Sequence, residues 1–236
     1  MLRTFIFYLF FFPWTFISSF IALFFTLFSQ DKTHSFVRLW GRSCLFFAGL
    51  KIQVQGTENI LCDRPAIYVS NHQSNFDIPI IYAGLPIQFR WMAKQELFRV
   101  PFFGLAMKRS GIVAIDRSNR RTTMHSIITA AQRIKEGTSV IIFPEGTRTP
   151  DGKLQEFKKG ALLIAAKAQV PVVPIAIHGS YQIQPKGRWK VNGGPLKLEV
   201  LPPISTEGLK SSDIDALTNQ VHDQIAQSLQ GAIKNG

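Results

Sequence analysis

Charge is what the first part of this chain lacks. Between Thr4 and Gln30 there is no Asp, Glu, Lys or Arg, and ten of those positions are phenylalanine. As a helix the run measures about 40 Å, against a bilayer hydrocarbon core of about 30 Å. A soluble domain of 236 residues has no ready place to hide it. A cleaved signal peptide is the competing reading, against which stand the length of the run and the want of a clear small-residue cleavage site. Cysteine is also scarce. Cys44 and Cys62 alone give neither a disulfide framework nor metal-ligand spacing, so no metal is expected, and a reducing compartment fits. Acidic residues are few as well: 15 against 27 Lys plus Arg, a net charge of +12. Such a balance points to an anionic partner: nucleic acid, a membrane surface or a phosphate-bearing substrate. No recognisable nucleic-acid motif and no dense basic-aromatic strip is present, so no nucleic acid is expected. There is no internal repeat, low-complexity tract or interdomain linker.

Pro13 is expected to kink or break the apolar helix. Residues 33–50 read as a second helix lying at the membrane interface, with Arg38 and Arg42 turned to headgroups. Residues 1–50 are therefore expected to form a membrane-anchoring helical hairpin. Two geometries remain open: one spanning helix followed by an interfacial one, or a hairpin held in one leaflet. In the first, Lys32, Arg38, Arg42 and Lys51 outweigh Arg3 and keep the bulk of the chain on the cytoplasmic side.

Residues 51–236 have the composition of one α/β domain. Short apolar or β-branched runs predict strands at residues 52–55, 66–70, 89–93, 112–115, 139–143, 172–177 and 196–201. Met124, Ile127, Ile128, Ala131 and Ile134 recur at helical spacing, with Gly137 as the stop. A further helix is expected over residues 158–168. Ile214, Leu217, Val221, Ile225 and Leu229 make the stripe of a C-terminal one. Alternating strands and helices predict a mostly parallel sheet flanked by helices.

The chemistry gathers where strands end. Asn71-His72-Gln73-Ser74-Asn75-Phe76-Asp77 follows the strand at 66–70, and Asp77 is expected to cap a helix carrying Pro79 in its first turn. On one helix His72 and Asp77 would point about 140° apart. In a turn between strand and helix they can meet, and the carboxylate then fixes the imidazole tautomer and leaves the other ring nitrogen to take a proton. Phe143-Pro144-Glu145-Gly146-Thr147-Arg148 follows another strand, and an arginine there suits a phosphate. Gly111 to Arg117 ends a third strand on a second arginine. Val170 to Ile175 is an apolar run with two prolines, a wall rather than a source of polar chemistry. Ser74 lacks the setting of a covalent nucleophile. His34, His125, His178 and His222 read as structural, although His178 follows a strand beside Gly179 and is the one of these four that could reach the site.

Asn71-His72 with Asp77, Gly111 to Arg117, Phe143 to Arg148 and Val170 to Ile175 resemble the four ordered blocks of the glycerolipid acyltransferase family. Within it, the bacterial 1-acyl-sn-glycerol-3-phosphate acyltransferases are most similar. The stretch from Lys94 to Gly104 also resembles the family segment ahead of the second block, and the likeness covers residues 51–201. The resemblance implies a glycerol-3-phosphate acyltransferase-like fold. It implies transfer of a fatty acyl group from acyl-CoA or acyl-carrier protein, as co-substrate, to the sn-2 hydroxyl of lysophosphatidic acid, with phosphatidic acid as product and no cofactor. It further implies His72 as general base and Asp77 as its orienter. Arg117 and Arg148, with Lys94, would hold the phosphate, while Glu145, Gly146 and Thr147 would shape the acceptor pocket and Val170 to Ile175 would line the acyl side. The turn after His72 offers backbone N–H groups as oxyanion donors. Acceptor and product being lipids, the expected location is the cytoplasmic face of a bacterial inner membrane.

Overall fold

The structure is a computed structural model and describes residues 1–100, 103–116 and 118–234. Two helices come first, α1 (Leu2–Phe25) and α2 (Gln30–Phe47). The sheet is then laid down by β1 (Ile52–Gln55), β2 (Ile67–Ser70), β3 (Arg90–Lys94), β4 (Val113–Ile115), β5 (Val140–Ile142), β6 (Val172–His178) and β7 (Leu196–Val200). Between and after the strands run α3 (Asp77–Gly84), α4 (Phe103–Arg109), α5 (Arg120–Lys135), α6 (Lys159–Ala168), the single turn α7 (Ser180–Ile183) and α8 (Ile214–Lys234).

The strands form one seven-stranded sheet in the order β1-β7-β6-β2-β5-β3-β4. Pairing is parallel throughout except where β7 runs antiparallel to β6. The expected mostly parallel α/β sheet is therefore present, with strand ends within a residue or two of those predicted. β2 is buried at every position, as a central parallel strand covered on both faces must be. Ile67 and Val69 face α5, α6 and α8, whereas Tyr68 faces α2 and α3. On α5 the buried stripe is Ile127, Ala130, Ala131 and Ile134. Ile128, expected in it, is 54% exposed, because the stripe continues through Ala130 instead.

The N-terminal helices depart further from expectation. Pro13 lies inside α1 without breaking it; the chain turns only after Phe25. Ser29 then caps α2, accepting hydrogen bonds from the amides of Asp31 and Lys32. The two helices form a hairpin joined by Trp40 Nε1 donating to Thr15 Oγ1 (3.1 Å) and by ring contacts such as Phe25 with Phe36. One face of α2 packs on the α/β domain. Its Thr33, His34, Gly41, Cys44 and Leu45 are buried, and at Gly41 a Cβ would come within 2.7 Å of Tyr82 Cβ on α3. Only a residue without a side chain lets the two backbones approach so closely. Arg42 is exposed and Arg38 half-buried.

α1 touches the rest of the chain along its whole length. Near its start, Arg3 Nη1 donates to Ala48 O (2.7 Å), Thr4 bonds Val191 through both its acceptor and its donor, and Tyr8 OH donates to Trp189 O (2.9 Å). Near its end, Phe20, Ala22 and Leu23 border a cavity shared with Met107 and Ile112. Its outer side leaves Phe5, Leu9, Phe10, Phe12, Phe16, Phe20 and Phe24 exposed.

Candidate active site

All strands from β2 to β6 point the same way, so their carboxyl ends share one edge, where open α/β sheets place ligands. Asn71 fixes the turn that leaves β2. Its side chain donates to Ile177 O (2.9 Å) and accepts from Ile177 N (2.8 Å), fastening the turn to β6.

His72 and Asp77 meet. Nδ1 of His72 lies 2.8 Å from Asp77 Oδ2, and Asp77 is fully buried. The same oxygen accepts from the amides of Gln73 (2.6 Å) and Ser74 (2.8 Å). Asp77 thus does not cap α3 as expected. Its carboxylate turns back into the preceding turn rather than forward to the helix amides, and it makes no bond there. An acceptor-only carboxylate at Nδ1 puts the imidazole proton on that nitrogen, leaving Nε2 with its lone pair. The ring is stacked on Phe143 at 3.9 Å and 8°, and Phe143 in turn on Trp91 at 5.3 Å.

The turn after β5 braces the same histidine from behind. Glu145 Oε1 accepts from His72 N (2.6 Å), while Oε2 accepts from the side chain and backbone of Gln155. The loop closes with Thr149 N donating to His72 O (3.0 Å). Burial pushes the Glu145 carboxyl above its ordinary range, and the hydrogen bonds from His72 and Gln155 hold that rise back. Glu145 is almost wholly enclosed, 3% exposed, so its contact is with the turn that carries His72. Gly146 sits at positive φ in the bend, and Thr147 is exposed.

These bonds narrow one expectation. The amides of His72, Gln73 and Ser74 all have carboxylate acceptors, so they are not free to stabilise an oxyanion. Ser74 is equally engaged. It is fully buried, its hydroxyl donates to Gln184 O (2.8 Å) and it accepts from Phe76 N (3.1 Å).

The cations are partly assembled. Arg148 donates to Asn75 Oδ1 across the mouth of the turn. Lys94 is exposed at the end of β3, its backbone in register with Ile115. Arg117, two residues beyond Ile115, lies outside the described residues. Sequence reasoning missed Lys186, whose Nζ donates to Thr147 Oγ1 (3.1 Å). It also missed Gln184, which joins Asn75 Nδ2 (3.3 Å) to Tyr8 OH (2.8 Å) of α1. Both residues lie outside the four blocks, more than 35 positions beyond Arg148. His178 does not join His72; it bonds Glu199 and Ser228.

An apolar cavity of about 660 Å³ lies between α1, α2 and α4, with Trp91, Tyr82 and Phe89 on its wall. Trp91 on its wall stacks on Phe143, which stacks in turn on His72. Val172, Val173 and Ile175, expected along the acyl side, are instead fully buried in β6 and do not border this cavity, because β2 and β7 flank them and helices cover both faces. A second groove of about 1100 Å³ runs from Gln73 and Gly152 toward α8.

The edge of the sheet thus carries a His–Asp pair with the carboxylate buried and a guanidinium across the same turn. The profile described as Acyltransferase matches residues 51–178, more than half of the sequence, and the chain belongs to that family. Among relatives, the chloroplastic 1-acyl-sn-glycerol-3-phosphate acyltransferase of Arabidopsis thaliana is 37% identical over 203 residues, 85% of this chain and 55% of the relative. The 1-acyl-sn-glycerol-3-phosphate acyltransferase of Limnanthes alba is 33% identical over 195 residues, covering 82% of this chain and 69% of its own. The chain thus spans little more than half the length of the chloroplastic relative. The crystal structure of the 1-acyl-sn-glycerophosphate acyltransferase PlsC from Thermotoga maritima superposes with a TM-score of 0.80 at 32% identity, covering 98% of this chain and 95% of that one.

Proposed function

We propose that the chain transfers a fatty acyl group from a thioester to the sn-2 hydroxyl of 1-acyl-sn-glycerol 3-phosphate, releasing phosphatidic acid and a thiol. The observation that carries this is the buried carboxylate of Asp77 on His72 Nδ1, with Arg148 across the same turn.

The chemistry asks little more. A glycerol hydroxyl is a poor nucleophile at neutral pH, whereas a thioester carbonyl is already activated. His72 Nε2 takes the hydroxyl proton as the oxygen attacks the carbonyl carbon. The C–S bond then breaks, and the thiolate leaves with the proton from the imidazolium. Asp77 holds the tautomer and stabilises the transient positive charge. General base catalysis of this kind is worth about 10²–10⁴-fold. Ser74, enclosed and hydrogen-bonded, has no part in it, so attack is direct.

Arg148, with Lys94, Lys186 and Arg117, holds the acceptor phosphate. Glu145, Gly146 and Thr147 form the turn that presents Arg148, and Glu145 acts through His72. The cavity between α1, α2 and α4 takes an acyl chain. The thioester is supplied by acyl-CoA or acyl-carrier protein, whose reacting carbonyl is the same.

α1 supports seating in one leaflet rather than crossing. It is 24 residues long, yet both its ends touch the α/β domain, and its exposed phenylalanines occupy one side. Such a helix lies in the membrane plane with the active edge beside it, so lipid substrates enter sideways. The cytoplasmic leaflet fits the basic surface and the expected thioester donors.

A radiolabelled acyl-transfer assay on mixed vesicles, run over several lyso-lipid acceptors, tests the assignment. Lysophosphatidic acid should react fastest, and Arg148→Ala should raise its KM about ten-fold with little change in kcat, as loss of a charged hydrogen bond predicts. Equal rates with an acceptor lacking phosphate would overturn the cation cluster.

A further inference from the structure

One surface loop, Lys186 apart, remains unaccounted for by the reaction. Residues 185–191 read Pro-Lys-Gly-Arg-Trp-Lys-Val, and Lys186, Arg188, Trp189 and Lys190 are all exposed. Trp189 is 61% exposed, although a tryptophan carries one of the largest apolar surfaces a residue can leave in water. Looseness does not explain it. Arg188 N donates to Pro185 O (3.1 Å) and Asn192 N to Ile183 O (2.9 Å), closing the loop on itself. Tyr8 OH holds Trp189 O, and Thr4 holds Val191 on both its N–H and its carbonyl. The indole is presented outward by a backbone that is tied down on both sides.

The ties lead to two places. One is the first two turns of α1, whose Phe5, Leu9 and Phe12 are exposed beside Thr4 and Tyr8. The other is the catalytic turn, through Ser74 Oγ on Gln184 O and Lys186 Nζ on Thr147. The loop therefore extends the apolar side of α1 to the mouth of the site, and changes its character from phenylalanine to tryptophan flanked by cations. Neither Arg188 nor Lys190 has an acidic partner among the described residues. Tryptophan with flanking Lys and Arg is the composition that sits at the headgroup level of a bilayer, the ring among glycerol and ester groups and the cations on phosphates.

We propose that loop 185–191 is a second membrane contact, docking on anionic phospholipid headgroups and pinning the active edge against the leaflet. It rests on the in-plane seating of α1 proposed above. An acidic carrier protein is the other partner that a basic loop could meet. Continuity with α1 and the exposed indole favour lipid, since a water-soluble acidic protein needs the cations but not the ring.

Fluorescence quenching by brominated lipids tests it on the full chain reconstituted in vesicles. The difference between wild type and Trp189→Phe isolates Trp189 from Trp14, Trp40 and Trp91. The difference emission should be quenched by bromines near the headgroup, more so when the vesicles contain anionic lipid. The anionic enhancement should disappear in about 1 M salt, where the Debye length is about 3 Å. Arg188→Gln with Lys190→Gln should weaken attachment of the loop about five-fold for each cation removed. If Trp189 stays unquenched while the remaining emission is quenched, the loop proposal fails and the seating of α1 stands. If no tryptophan is quenched, the seating fails and the loop proposal with it. If Trp189 responds only when acidic carrier protein is added, the loop is a protein-docking face and the lipid assignment is wrong.

Discussion

Asp77→Asn separates the charge of the orienting carboxylate from its geometry. In the structure Oδ2 accepts three hydrogen bonds, from His72 Nδ1 and the amides of Gln73 and Ser74, while Oδ1 is buried with no partner. An asparagine can therefore put its carbonyl oxygen where Oδ2 was and its NH₂ where Oδ1 was, still accepting all three bonds. What disappears is the negative charge beside the imidazolium formed during proton transfer. Two unit charges about 4 Å apart interact by about 4 kcal/mol at an effective dielectric of 20. Lost from the transition state, that is about three orders of magnitude in kcat. Acceptor KM should change little, because Asp77 is fully buried behind His72 and cannot touch the acceptor. The assay is steady-state acyl transfer from a labelled thioester to lysophosphatidic acid in mixed vesicles, with circular dichroism to confirm the fold. A kcat within ten-fold of wild type would refute the reasoning and reduce Asp77 to a structural clasp for the turn.

Two further outcomes follow from packing around α2. His34 is wedged edge-on against Phe89 at 4.4 Å with neither ring nitrogen bonded, and burial, helped by Arg90 and Arg38, lowers its pKa to about 3. The unfolded chain binds a proton near 6.5 and the fold does not, so its contribution to stability is complete above about pH 6.5 and is lost progressively as pH falls toward 3. The loss at pH 5 is about 2 kcal/mol, and the melting-temperature gap between wild type and His34→Gln should shift in the variant's favour by about 4–8 °C between pH 8 and pH 5; a gap independent of pH would refute it. Gly41→Ala drives a methyl to 2.7 Å from Tyr82 Cβ and 3.0 Å from Pro79 O, which costs about 1–3 kcal/mol and should lower the melting temperature by several degrees at constant pH.

The elements legible in the sequence are those whose signal is local. Short β-branched runs ending in His72, Glu145 and Ile115 could be recognised as strands, and their order along the chain carried the resemblance to an acyltransferase. That His72 and Asp77 could meet in a turn was also readable, since five residues leaving a strand have only a few ways to fold. The direction of the carboxylate was not. Whether Asp77 looks forward to α3 or back to Gln73 and Ser74 depends on the closure of the turn against β6 and the loop after β5. Those contacts come from Ile177 and Glu145, far along the chain. The same holds for the bond from Gln184 to Tyr8, which spans 176 positions. The seat of α2 was hidden for a different reason. Its arginines were visible in the sequence, whereas the close approach to α3 is permitted by Gly41, and a glycine has no side chain to announce what will press against it.

The central claim is that His72 Nε2 removes the proton from the acceptor hydroxyl, and single-turnover acyl transfer by His72→Ala tests it most directly. With the fold retained and lysophosphatidic acid saturating, the rate of phosphatidic acid formation should fall about 10²–10⁴-fold. A variant that still transfers at the wild-type rate would contradict the claim.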